Sequence, residues 1–195
     1  SVLGVDIKTT AIRGDRNTAS IGPGFDTECG FVVKMHNGTV FFEYSLDDIS
    51  GDIPALARKI ADSVACKSGN TIAESTLPDE PLTQDFAREH DLADYTESQL
   101  LDFCKEQCET LLGKSEHLLN AMVNLQQLEV SKLFISQNRE LSQNYAWVNG
   151  ILVAIYREND KVVQAMESAN HHRMADVLAQ LPTKQEKLLH TAHCL

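Results

Sequence analysis

Apolar and polar positions alternate from the start of the chain. In "VLGVDIKTTAI", Val5, Ile7, Thr9 and Ala11 share one face at the two-residue period of a strand. "DTECGFVVKM" predicts another strand, with a short buried apolar run at Phe31–Val33. Asn37-Gly38 then separates two strand-like runs. That pair predicts a type I′ hairpin, because the turn needs positive φ at both central residues. "IGPGF" at 21–25 predicts a loop. Residues 2–45 therefore predict β structure.

The period changes at Asp52. "DIPALARKIADSVA" places Ile53, Leu56, Ala57, Ile60, Ala61 and Val64 at the spacing of one buried helical stripe. Asp52 is the predicted N-cap, and Pro54 falls in the first turn, where its missing N–H costs nothing. "CKSGNTIAESTLPDEP", 66–81, shows no period and carries Gly69, Pro78 and Pro81, as a linker does.

Helix returns with "TESQLLDFCKEQCETLLG". A T-x-x-Q capping box at Thr96 and Gln99 predicts its start and Gly113 its end. Leu101, Cys104, Cys108, Leu111 and Leu112 form the predicted stripe. From Asn120 to Asp160 the chain is rich in Val, Ile, Leu and aromatics, with turn signals at Gln137–Glu140 and Glu158–Asp160. At least three strands are predicted there, and a fourth in "KVVQAMES". From Ala169 the pattern is helical: "RMADVLAQL", Pro182, then "TKQEKLLHTAHCL".

The predicted class is α+β, an antiparallel β-meander plus helix module followed by a second helix plus antiparallel sheet module. Its predicted domains are residues 1–66 and 83–195, the second ending in a helical tail, joined by a linker at 67–82.

Charge narrows the function classes. The 195 residues carry a formal net charge of −11, and no cluster of Lys and Arg exceeds two. A nucleic-acid surface needs a basic face, so no direct nucleic-acid partner is expected. No apolar run approaches membrane-spanning length, and "SVLGVDIKTT" has neither the basic region nor the apolar core of a signal peptide. Five cysteines at irregular spacing do not form a secreted disulfide framework, so a reducing, cytoplasmic setting is expected.

Candidate chemistry is sparse. Cys104 and Cys108, four apart on a helix, could hold a metal, but they sit in an apolar stripe and read as small buried hydrophobes. His171 and His172 are helix neighbours pointing about 100° apart, which suits capping or solvation. His190, His193 and Cys194 supply three zinc-ligand types, without a fourth ligand or a nearby carboxylate base. Asp47-Asp48 and Asp79-Glu80 lie in polar loops, where no apolar pocket raises a carboxyl pKa. Gly22-x-Gly24 lacks the third glycine and following helix of a dinucleotide fingerprint. No catalytic, cofactor-binding or metal residue is assigned, and substrate-binding residues stay open.

The order of features is more specific than any motif. Residues 12–64 place a strand, Arg13 to Asn17, Cys29-Gly30-Phe31-Val32-Val33, the Asn37-Gly38 turn, Phe41 to Ser45 and the Ile53–Val64 helix in succession. Residues 127–160 add a turn at Phe134-Ile135-Ser136-Gln137-Asn138 and a strand through Leu152-Val153-Ala154. Over residues 2–168 this order resembles the first and middle domains of the TldD/PmbA family, whose members are named as modulators of DNA gyrase and as zinc-dependent peptidases or peptide-maturation proteins. The chain departs from the pattern by opening directly on the first strand and by carrying Arg139-Glu140 in place of a turn glycine.

The resemblance implies the N-terminal, two-domain portion of such a protein, ending about where its catalytic domain begins. It implies a role in walling the substrate chamber, with a peptide or unfolded protein as substrate, and a homo- or heterodimer with another subunit of this type. Zinc is expected in an H-E-x-x-x-H helix of the C-terminal domain of a catalytic member. That string is absent here; "EHDLADY" and "SANHHRMAD" lack the second histidine at the required offset. No residue of this chain inherits a catalytic role, and the portion is expected to be inactive. The alternative is a stand-alone α+β binding or scaffold protein without catalysis.

Overall fold

The structure is a computed structural model that describes residues 1–24, 27–65, 69, 71 and 80–194. Most of the predicted linker, together with Phe25, Cys66 and Asp79, lies outside the described residues. Among the described residues, eight strands and four α-helices follow in order: β1 (Val2–Asp15), β2 (Ala19–Pro23), β3 (Glu28–His36), β4 (Phe41–Leu46), α1 (Ile53–Ala65), β5 (Leu82–Asp85), α2 (Glu97–Leu112), β6 (Leu118–Ile135), β7 (Arg139–Glu158), β8 (Lys161–His171), α3 (Met174–Thr183) and α4 (Gln185–Cys194). The class is α+β, as predicted. Two compact units form. The first holds Ser1–Ile7, Glu28–Ala87 and Val130–Asn144; the second holds Lys8–Thr27, Arg88–Glu129 and Tyr145–Leu195. Strands β1, β6 and β7 thus give one segment to each unit.

In the first unit, β1 pairs antiparallel with β3 from Val2↔Val33 to Ile7↔Glu28, and β3 with β4 from Phe31↔Leu46 to His36↔Phe41. The hairpin at Asn37-Gly38 is present, but it is not a two-residue type I′ turn. Gly38 has φ +93°, and Asn37 stays outside the left-handed region. Asn37 instead organises four residues: its Oδ1 accepts from the N–H groups of Thr39 and Val40, each at 3.1 Å, and its Nδ2 donates to the Val64 carbonyl at the end of α1 at 3.1 Å. A side chain that supplies the turn's hydrogen bonds removes the need for left-handed backbone at Asn37. Asp52 caps α1 as predicted, accepting from Ala55 N–H at 3.0 Å. The stripe of α1 is narrower than predicted. Ile60 and Val64 are buried and Leu56 half-buried, while Ile53, Ala57 and Ala61 are exposed. One surface contacted along an i, i+4, i+8 row leaves the flanking positions in solvent. Strand β5 runs parallel to the start of β7, from Leu82↔Arg139 to Asp85↔Ser142.

In the second unit, β7 and β8 pair antiparallel from Val148↔His171 to Glu158↔Lys161, turning through Asn159 at φ 53°. Three predictions are corrected here. Residues Ile21–Pro23 are not loop: they belong to β2, which pairs with β1 from Thr10↔Pro23 to Gly14↔Ala19. Proline is compatible with the end of a strand whose N–H groups are not all used. Asn120 to Asp160 is not several short strands but most of two long ones, of 18 and 20 residues. The predicted turn signals are the places where they end, with Ser136 N–H donating to the Arg139 carbonyl at 2.8 Å. Residues 169–171 complete β8 rather than opening a helix, and Pro182 lies within α3.

The capping box is present: Gln99 N–H donates to Thr96 Oγ1 at 3.3 Å, and Thr96 N–H to Gln99 Oε1 at 2.8 Å. Gly113 ends α2 at φ −69°, without a left-handed residue. The buried stripe of α2 is Leu100, Cys104, Gln107, Cys108 and Leu111, with Leu101 and Leu112 at its half-buried flanks. The apolar residues among them join Val123, Leu125, Val148, Leu152, Val177, Leu181 and Leu188 in one core. Gly150 lets α3 approach β7. A Cβ there would meet Leu181 Cδ1 and Val177 Cγ1 at 2.6 Å.

Helix α3 has no side-chain cap from Arg173, the residue at its N-cap. Asp91, far upstream, supplies it: Oδ1 accepts from Met174 N–H at 2.6 Å and Oδ2 from Ala175 N–H at 3.0 Å. Gln185 Nε2 donates to Gln107 Oε1 at 2.8 Å, pairing two buried amides of α4 and α2.

Candidate functional site

The sequence candidates do not converge. Cys104 and Cys108 are free and buried in the core. Burial pushes the Cys104 thiol up to about 12, with Cys108 adding to the rise. Cys108 is pushed up to about 11, again chiefly by burial, and its thiol lies 3.4 Å from the Gly14 carbonyl. Thiols held protonated are poor nucleophiles at neutral pH.

His171 Nδ1 lies 2.6 Å from Asp176 Oδ2. His172 Nδ1 donates to the Ala146 carbonyl at 3.1 Å, so Nε2 is the acceptor for Arg88 Nη1 at 2.7 Å. A carbonyl only accepts and a guanidinium only donates, which fixes this tautomer. Trp147 meets the same ring edge-on at 4.5 Å. The adjacent histidines thus serve different partners. His190 Nε2 is 3.8 Å from Cys194 Sγ, whereas His193 turns to Glu158 at 3.5 Å and to the Tyr156 ring. Among the described residues, no three of His, Cys, Asp and Glu come within joint reach of a metal ion.

Of the two acidic loop pairs, Asp79 lies outside the described residues. Asp48 is held below its usual range by hydrogen bonds from the Ser50 hydroxyl and N–H. Glu80 is exposed and gives its backbone carbonyl to Arg139 Nε at 3.0 Å. Gly22 pairs with Ala11 in the β2 ladder, and Gly24 N–H donates to the Thr9 carbonyl at 2.7 Å.

A different feature emerges from the second unit. Along β7, Gly150, Leu152 and Ala154 face the helices. Ile151 and Val153 alternate with them and face the other way. Cross-strand pairing puts Met166 beside Val153 and Ser20 beside Arg13. Met122, Ile151, Val153 and Met166 line a cleft of about 400 Å³, which Arg13, Ser20 and Asn124 also border. Met166 is 61% exposed, and Val162, on the same face of β8, is 52% exposed. Apolar floor and polar rim are the form of a binding surface. Sequence reasoning missed this face. Alternation with two apolar sides in β7 was its signal, since a strand solvated on one side reads apolar–polar.

Comparison with known proteins gives the fold a place. Over 98% of its length the chain is similar to 44% of a protein from Bacteroides thetaiotaomicron described as a candidate modulator of DNA gyrase, with a TM-score of 0.68 and 16% identity. A Thermotoga maritima protein described in the same way matches over 96% of this chain and 42% of its own, at TM-score 0.62 and 7% identity. TldE from Thermococcus kodakarensis matches over 95% and 44%, at TM-score 0.61 and 11% identity. The chain therefore has the fold that the order of its sequence features led us to expect. It spans less than half the length of these structures. No family model and no curated protein matches it. No helix among the described residues is long and apolar enough to cross a membrane.

Proposed function

We propose that the chain is a non-catalytic, substrate-contacting portion of a TldD/PmbA-type metallopeptidase or of its metal-free partner subunit, acting in proteolysis or peptide maturation. In this reading it walls the substrate chamber and supports dimerisation, homo- or heteromeric. Its partners are a peptide or unfolded protein and a second subunit, without direct contact to nucleic acid or membrane, in the cytoplasm. The fold likeness over 98% of the chain carries the reading.

The described residues do not fit a catalytic zinc. His193 is engaged with Glu158, the core thiols are held protonated, and no triad of ligating groups assembles. In this reading the chain contributes no zinc chemistry of its own, and the zinc of a catalytic member belongs to its C-terminal domain.

Fluorescence anisotropy with labelled unstructured peptides, run beside a hydrolysis assay with added zinc, tests the proposal. Peptide binding without cleavage is expected. Zinc-dependent cleavage by this chain alone, or no binding to any peptide, overturns it.

A further inference from the structure

We infer that the cleft on the open sheet face of the second unit is a subsite for an apolar side chain of an extended polypeptide, with the Asn124 carboxamide accepting a backbone N–H of the same segment. This rests on the reading of the chain as a substrate-contacting portion and specifies where and how contact is made.

Three observations carry it. The first is an unmet acceptor. Asn124 borders the cleft, and its Oδ1 is buried with no donor. Among the described residues the other buried side-chain atom in this condition is Asn149 Oδ1, on β7, two residues from Ile151 and therefore on the same face. Buried polar atoms almost always find partners, so an orphan acceptor beside a cleft marks where a donor belongs.

The second observation is the floor. Met122, Ile151, Val153 and Met166 present hydrocarbon and thioether to the cleft. Arg13 and Asp15 carry both signs of charge at the rim of the cleft, whereas the floor itself offers a charged group no partner. A peptide N–H is neutral, and the side chain next to it can fill the apolar floor. The volume of about 400 Å³ lies within the range of about 300–1,000 Å³ common to small-ligand sites. It suits one large side chain with its flanking backbone.

The third is the character of the walls. Methionines stand at both sides, Met122 on β6 and the exposed Met166 on β8. Unbranched thioethers re-pack around differently shaped partners, so the subsite should accept Phe, Leu or Met rather than one residue. The net charge of −11 works against acidic segments.

The test uses a short, uncharged, labelled peptide with one central Phe, a counterpart with Ala in its place, and a series N-methylated at one backbone position each. Anisotropy is read for the wild-type chain, Asn124→Leu, Met166→Lys, and Leu3→Lys as a control in the first unit. Asn124→Leu removes an orphan acceptor, so it is expected to fold. The expected result is a loss of about tenfold or more in affinity for Asn124→Leu, for Met166→Lys and for the Ala peptide, with Leu3→Lys unchanged. A single N-methyl position next to Phe should weaken wild-type binding and leave Asn124→Leu unaffected. If wild type binds while Asn124→Leu and Met166→Lys bind equally well, or if acidic peptides bind best, the subsite is overturned and the broader proposal stands. If wild type binds no peptide, both fall.

Discussion

Replacing Asp91 with alanine isolates how helix α3 is started. Two backbone donors, on Met174 and Ala175, end on the two oxygens of this one carboxylate at 2.6 and 3.0 Å. Met174 is fully buried, so water reaches its N–H poorly once the carboxylate is gone. Loss of an N-cap costs about 0.5–2 kcal/mol. A buried donor left unsatisfied costs about 1–3 kcal/mol. The two estimates overlap in what they count, and Arg173, 3.6 Å from Asp91 but 59% exposed, adds little. A total of about 2–3 kcal/mol follows, or a fall in Tm of roughly 4–12 °C for a chain of this size. The pH dependence gives an independent check. Burial opposes ionisation of Asp91, but the N–H groups of Ala175 and Met174, its own N–H and the Arg173 charge outweigh it, so its pKa lies below the usual carboxylate value. A depressed folded pKa stabilises the native state fully above the unfolded value, near 3.9. That stability is lost as pH falls through the lower, folded value. Urea denaturation of wild type and Asp91→Ala should therefore show a constant gap from neutral pH to about 5, narrowing below 4. A gap under about 0.5 kcal/mol at pH 7, or one that fails to narrow in acid, refutes the assignment of Asp91 as the cap of α3.

Three further outcomes are expected. Gln107→Leu leaves the amide of Gln185, 2% exposed, without its partner and should cost about 1–3 kcal/mol. Adding Gln185→Leu should recover much of that loss, which a double-mutant cycle by urea denaturation measures. Gly150→Ala forces a Cβ to within 2.6 Å of Leu181 and Val177 and should lower stability by about 1–3 kcal/mol through overpacking; thermal melts read it directly. Iodoacetamide at pH 8 should label the exposed Cys29 and Cys194 in the native protein and spare Cys104 and Cys108, whose thiols are pushed up to about 12 and 11. Peptide mass mapping showing native-state label on Cys104 would contradict its placement in the core.

Local chemistry made much of the fold legible. The Thr96–Gln99 capping box and the Asp52 cap are hydrogen bonds within one turn, so residue type and spacing suffice to find them. The Asn37-Gly38 turn was readable as a location but not as a geometry, because Asn37 uses its side chain where a type I′ turn would use backbone. Strand β2 was hidden because Gly22 and Pro23 carry loop propensity, and only the register against β1 overrides it. The long β6 and β7 were over-divided: polar residues inside them read as interruptions, whereas in a sheet with two unlike faces they are positions on one side. The candidate site was least legible. Asp91 acts across 83 residues of sequence to reach Met174, and Asn124, Ile151 and Met166 come from three strands. Neither arrangement leaves a spacing to recognise. The pairs that did have suggestive spacing, Cys104 with Cys108 and His171 with His172, are used for packing and for separate partners.

The position of β1 has a consequence for synthesis. Of the described strands it is the earliest in sequence, and it lies between β3 and β6 in the strand order. β3 and β4 are complete by Leu46, but β6 does not begin until Leu118. At roughly 5–20 residues per second, the ribosome takes on the order of 4–15 seconds to deliver the missing neighbour. During that interval one edge of β1 has its hydrogen-bonding groups open and Ile12, later fully buried, uncovered. An unpaired edge beside exposed apolar side chains is where nascent chains join one another. A chaperone at the ribosome, or rapid translation through residue 135, would shield or shorten that interval.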